Sequence, residues 1–170
     1  MKSVAPTTPY GYTIFCDDIR QETNGKRTLV GVYGADLRVF APLPFICPKF
    51  GFLIRYFERP DESSQPVTLK IFIPGQEEPA VQGEIPVDAL RNTQPPPDTD
   101  DPLLTSTFHL IASPLVLESE GLIKVRAYRG DTEIRLGTLK VVTMPRPEDE
   151  NSGKLAKPER PKRPRKKAKK

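Results

Sequence analysis

This sequence predicts an all-β fold: an antiparallel β-sandwich of the immunoglobulin or C2-like kind, with about seven to nine strands and a disordered C-terminal tail. Three observations carry that prediction. Short β-branched and aromatic runs recur at roughly ten-residue spacing, with turn signals between them. Nowhere do ten consecutive residues show a helical apolar period. Twenty prolines in 170 residues disfavour helix, since each interior proline costs a helix ~3 kcal/mol. The chain divides into a flexible arm over 1–9, a sandwich domain over 10–144 and a Lys/Arg/Pro-rich tail over 145–170.

The strongest local signal is Tyr12 to Tyr33, where two apolar runs flank Asn24-Gly25. Asn-Gly suits a type I′ turn, whose two central residues both need positive φ. A first strand is expected from about Tyr10 to Arg20 and a second from about Arg27 to Tyr33. Leu29 and Tyr33 share one face of the second, Val30 and Val32 the other. Apolar residues on both faces predict a central hairpin rather than an edge one.

Asp36 to Phe40 alternates and predicts a short third strand. Ala41 to Pro48, broken by three prolines, reads as an irregular crossover. Phe50 to Glu58 and Val67 to Ile73 are strong strand signals, and Ala80 to Val87 is a weaker one. Val87 to Leu90 suits a helical turn. Asn92 to Asp101, with three consecutive prolines, is an extended loop. Leu103 to Leu117 forms one strand interrupted at Ser113-Pro114, or two. Leu122 to Tyr128 and Glu133 to Val142 form a closing hairpin across Arg129-Gly130-Asp131-Thr132.

The net charge of +4 is unevenly spread. Residues 145–170 hold eleven Lys/Arg and four Asp/Glu, a balance of +7. The rest holds fifteen basic and eighteen acidic residues, a balance of −3. The N-terminal residues show neither a signal-peptide apolar segment nor a readable cleavage site, and no stretch reaches the ~18 apolar residues of a spanning helix. Two cysteines, Cys16 and Cys47, each sit in an apolar run. They read as small buried hydrophobes, with a single bridge between them left open. A cytoplasmic protein with no membrane span is the expectation.

Candidate chemistry concentrates in two places. Asp17, Asp18, Arg20 and Glu22 form a candidate polar site at the end of the first strand. Adjacent aspartates in a strand point to opposite faces, so they cannot jointly form a dyad or bind one metal without a bulge. The competing reading has one of them pairing with Arg20 or capping the hairpin. Asp98, Asp100 and Asp101 match no metal spacing. His109 is the only histidine, and no serine elbow, cysteine nucleophile or phosphate-cradling glycine loop accompanies it. No catalytic residue, metal ligand or cofactor is expected.

The second place is the tail. Lys154, Lys157, Arg160, Lys162, Arg163, Arg165, Lys166, Lys167, Lys169 and Lys170 stand against one Glu. Such a segment cannot bury apolar area, and its cations attract nucleic acid or another polyanion mainly by counterion release. No aromatic residue interleaves it, so base readout by the tail is not expected.

The string from Cys16 to Tyr33 has the form C-D-D-I-R-Q-E-x-x-G-K-R-T-L-V-G-V-Y. It resembles the opening hairpin of a family of small uncharacterised bacterial proteins, catalogued as a domain of unknown function. Pro42, Pro44 and the closing hairpin extend the resemblance over about residues 10 to 143, without the tail. The resemblance implies a bacterial or phage-borne cytosolic protein and supplies no activity or cofactor. The expected function is a non-catalytic binding module for an unidentified protein partner, with a tail that contacts nucleic acid non-specifically. The alternatives are a self-assembling structural subunit and, below it, an enzyme with an acidic site near Asp17 and Asp18.

Overall fold

The computed structural model describes residues 8–59, 65–91 and 103–145. The readings made for the N-terminal arm before residue 8, the 92–102 loop and the basic tail from 146 lie outside them. Among the described residues the fold is all-β. Its elements are β1 (Tyr10–Cys16), β2 (Asp18–Gln21), β3 (Arg27–Val30), β4 (Asp36–Val39), β5 (Phe45–Cys47), β6 (Phe50–Glu58), β7 (Val67–Phe72) and β8 (Val81–Ile85). Then follow α1 (Val87–Arg91), β9 (Leu104–Ala112), β10 (Leu115–Leu117), β11 (Gly121–Arg129) and β12 (Thr132–Thr143).

Two main sheets hold the core. One is antiparallel, in the order β1-β6-β9, and the other runs β4-β12-β11-β7-β8. Within the second, β4 pairs with β12 in parallel, the exception to an otherwise antiparallel fold. Strand β6 shows why the core forms. Phe50, Phe52, Ile54 and Tyr56 alternate inward and are at most 1% exposed. They meet Ile71, Ile123, Val125, Leu139 and Val141 of the other sheet. Fully burying each such side chain contributes about 1.5–3 kcal/mol. The inward row of β6 ends in Glu58, 1% exposed. Its carboxylate is paired with Arg129 and accepts from the Tyr56 hydroxyl at 3.0 Å. A buried charge requires such partners.

Strand β12 changes phase midway. Ile134 and Leu136 point inward, then Leu139 and Val141 do. The ladder with β11 pairs Val125 with Gly137 but Arg126 with Arg135, so Leu136 is an extra residue in a bulge. Arg126 fills it, donating from Nη1 to the carbonyls of Val125 at 2.9 Å and Gly137 at 3.1 Å. Glycine at 137 also answers β1, because a Cβ there would sit 3.1 Å from the Thr13 Cβ.

Several expectations need correction. The predicted strand Tyr10 to Arg20 breaks at Asp17 into β1 and β2. There the Asp17 N–H turns to the Val30 carbonyl at 2.9 Å and the Tyr33 N–H donates to Phe15 O at 2.9 Å. The hairpin around Asn24-Gly25 exists, and both residues carry positive φ, 64° and 74°. It is peripheral, not central: β2 and β3 form their own two-stranded sheet, with Val30 37% and Val32 57% exposed. The reason is competition for β6, whose one flank is taken by β1 over seven residues and whose other is taken by β9. Among the described residues the strand count reaches twelve because of this break and because three-residue strands β5 and β10 pair with each other. The proposed crossover over Ala41 to Pro48 therefore contains a strand, and Leu103 to Leu117 is two strands. Cys16 and Cys47 are both free and buried, so the bridge left open in the sequence is not formed. Burial raises both thiol pKa values.

Candidate functional site

The four hairpin residues do not converge. Asp17 Oδ1 accepts a hydrogen bond from the Tyr33 hydroxyl, which ties the strand break to the end of the returning chain. Burial and this carboxylate together push the Tyr33 phenol well above its usual range. Asp18 points elsewhere. Its Oδ1 lies 2.5 Å from Lys49 Nζ and its Oδ2 lies 3.4 Å from Arg20 Nε. The Lys49 ammonium holds the Asp18 carboxyl below its usual value, with Arg20 adding to the effect. The Arg20 side chain is 65% exposed, so its pairing is weakly stabilising. Glu22 is exposed, and its backbone N–H closes the turn on Lys26 O at 2.8 Å.

These charges fasten the hairpin over one end of the β1-β6-β9 sheet. Ile19 is the hairpin's buried anchor, 7% exposed, and it rests on Gly51 of β6. A Cβ at residue 51 would lie 3.0 Å from both Ile19 Cγ1 and Cys16 Sγ, so only glycine leaves room for the anchor. Lys49 reaches Asp18 from just before β6, on the same side. His109 stands exposed on β9, opposite Leu53. No group of three or more His, Cys, Asp or Glu among the described residues is arranged to hold a metal ion.

A different region is concave and charged. Strands β1 and β12 lie side by side without a ladder between them, and a crevice of about 720 Å³ opens along this seam. Tyr12, Ile14 and Val32 line one wall, while Leu122, Arg126 and Arg135 line the other. The five-stranded sheet continues from that second wall. Its outward positions carry Arg38, Lys70, Lys124, Arg126, Arg135 and Lys140, against Asp36, Glu84 and Glu133. Cations are in twofold excess on this face, although the folded body as a whole is acidic.

Local pairing engages part of that positive charge. Glu133 is shared by Arg126 at 3.3 Å and Arg135 at 3.5 Å, and it accepts from the Tyr128 hydroxyl at 3.1 Å. Lys70 Nζ sits 5.1 Å from the Tyr128 ring centroid, a cation–π contact. Burial and the Glu133 carboxylate raise the Tyr128 phenol pKa. Sequence reasoning did not single out this face. The signal was present as Lys or Arg alternating with inward aliphatics in β7, β11 and β12, hidden by the charge balance of the whole body and, in β12, by the bulge. The ten tail cations lie outside the described residues.

Comparison with family models, curated proteins and solved structures finds no match to this chain. Among the described residues, no helix is long and apolar enough to cross a membrane.

Proposed function

We propose that this chain is a non-catalytic β-sandwich module that binds nucleic acid or a similar polyanion, with its C-terminal segment supplying long-range attraction. The observation that carries the reading is charge: ten Lys/Arg against one Glu over residues 154–170. The cationic outer face of the five-stranded sheet supports it, since a polyanion held by the tail would find complementary charge on the body. The proposal includes membership of the bacterial hairpin family, supported by the Cys16 to Tyr33 string, and a cytoplasmic setting.

Counterion release makes the test quantitative. If about six phosphates are neutralised, affinity falls ~10³-fold or more between about 50 and 200 mM salt. The measurement is retention of a mixed-sequence duplex by the full chain and by a chain ending at Met144. Deletion is expected to remove most low-salt retention and to flatten its salt dependence. Unchanged retention after deletion would refute the role given to the tail.

A further inference from the structure

The outer face of the β1-β6-β9 sheet differs in kind from the cationic face. Strand alternation points Tyr10, Tyr12 and Ile14 of β1 outward, beside Phe57, Arg55 and Leu53 of β6. Rows of exposed aromatics are costly to leave in water, and here they are ordered. Tyr10 stacks on Phe57 with ring centroids 4.8 Å apart and planes within 9°. Tyr12 lies 6.1 Å from the same ring. The Arg55 guanidinium sits 5.3 Å from the Phe57 centroid, and its Nη1 donates to the Tyr12 hydroxyl at 3.3 Å. Even so, Tyr10 is 37% and Tyr12 42% exposed, which leaves ring surface open to a ligand.

The charge around these rings selects the ligand. No Asp or Glu occupies an outward position of β1, β6 or β9, where Thr105, Thr107 and His109 complete the surface. Arg55 has no carboxylate partner among the described residues. Tyr12 also lines the seam crevice, whose opposite wall carries Arg135, with a side chain 82% exposed, beside the buried Arg126 that the Val125 and Gly137 carbonyls and Glu133 engage. Aromatic rings that adjoin fixed cations across a groove fit a strand of unpaired bases. The bases stack on the rings, while the phosphates face the exposed Arg135.

Resting on the polyanion reading above, we infer that Tyr10, Tyr12 and Phe57 form a stacking platform for single-stranded nucleic acid, with the phosphates directed across the crevice toward Arg135. Sequence preference is weak in such a site, because every base has a π-face. Duplex, whose bases are stacked internally, gains nothing from the rings.

The full chain is titrated with a fluorescent oligothymidylate, an oligouridylate and a duplex of equal length. The chain has five Tyr and no Trp, so quenching of tyrosine emission reports stacking directly. Tyr12→Leu is expected to weaken single-strand binding about tenfold or more and to reduce the quenching, with duplex affinity unchanged. Tyr12→Phe keeps the ring and is expected to retain binding. Both surface variants leave the core untouched, and an unchanged urea midpoint confirms their folding. The DNA and RNA arms identify which strand is preferred. Unchanged single-strand affinity in Tyr12→Leu overturns the platform, and if deletion after Met144 still abolishes duplex retention, the tail reading survives alone. Loss of single-strand binding in Tyr12→Leu, with no effect of the tail deletion, leaves the platform standing and removes the tail. A protein dimer that Tyr12→Leu dissolves while oligonucleotide affinity stays constant would give this face to a second copy of the chain and overturn the proposal.

Discussion

Two hairpins in this molecule carry comparable local signals and meet different fates. The closing hairpin, β11–β12, pairs at nine positions and is flanked by β7 and β4. Ile123, Val125, Ala127, Leu139 and Val141 within it are fully buried. The Asn-Gly hairpin, β2–β3, pairs at four positions and has no strand on either side among the described residues. Ile19 is its one fully engaged apolar side chain. Turn chemistry therefore specified that each hairpin forms, while the supply of partner strands decided which became the centre. An Asn-Gly turn fixes a local chain reversal and carries no information about what lies beside it.

The largest expected effect tests that contrast in stability. Leu139→Ala opens a cavity in the core and is expected to cost about 2–5 kcal/mol. Val30→Ala in the peripheral hairpin is expected to cost about 0.5 kcal/mol or less. Urea denaturation followed by circular dichroism measures both, and equal losses would mean that the hairpins are energetically equivalent.

A smaller effect separates the hairpin from the body. Gly51→Val places methyl groups where Ile19 and Cys16 Sγ now sit, with an expected cost of about 1–3 kcal/mol. Hydrogen exchange should show faster opening of the β2–β3 amides, with the β11–β12 amides little changed. Uniform loss of protection would instead make the Gly51 contact a core contact.

The smallest effect depends on pH. In the folded protein, the Asp18 carboxyl is held below its ordinary value of 3.8 by Lys49 and Arg20. A depressed acid contributes stability above its unfolded pKa and loses it as pH falls through the folded value. Hairpin protection factors should therefore hold above about pH 5 and drop as pH falls below 3.8 and through the lower folded value. Asp18→Asn should lower protection at the upper pH and flatten the dependence. A wild-type hairpin indifferent to acid would show that Asp18 does not fasten it.

Much of the fold was legible because period-two alternation is a local property. Phe50 to Glu58 reads as a strong strand, and it is one, with its even residues inward in the fold. The closing hairpin was legible for the same reason, and a helix stands where a helical turn was expected at Val87. The break at Asp17 was not, because it depends on Tyr33 and Val30 arriving from the returning chain. The phase change in β12 was also hidden. Nothing local distinguishes Leu136 from its neighbours, and the bulge follows from the register with β11.

Site legibility divides along the same line. The opposed directions of Asp17 and Asp18 followed from adjacency in the sequence, and the Asp18 to Arg20 pair was among the local readings considered. The Lys49 partner lies thirty-one positions from Asp18 and could not be read in advance. The two outer faces were likewise invisible. A row such as Tyr10, Phe57 and Thr105 exists only after β1, β6 and β9 take their register.

By itself, then, the sequence determined the all-β class, most strand positions, the Asn-Gly reversal and the concentration of positive charge beyond residue 145. Those follow from backbone propensity, side-chain alternation and composition, which act over a few residues. Tertiary structure decided which strand sits beside β6, where the hairpin docks, how the bulge turns β12, and which aromatics and cations share a surface. Each of those is set by pairing between segments distant in the chain, and packing at β6 leaves room for only one strand on each side.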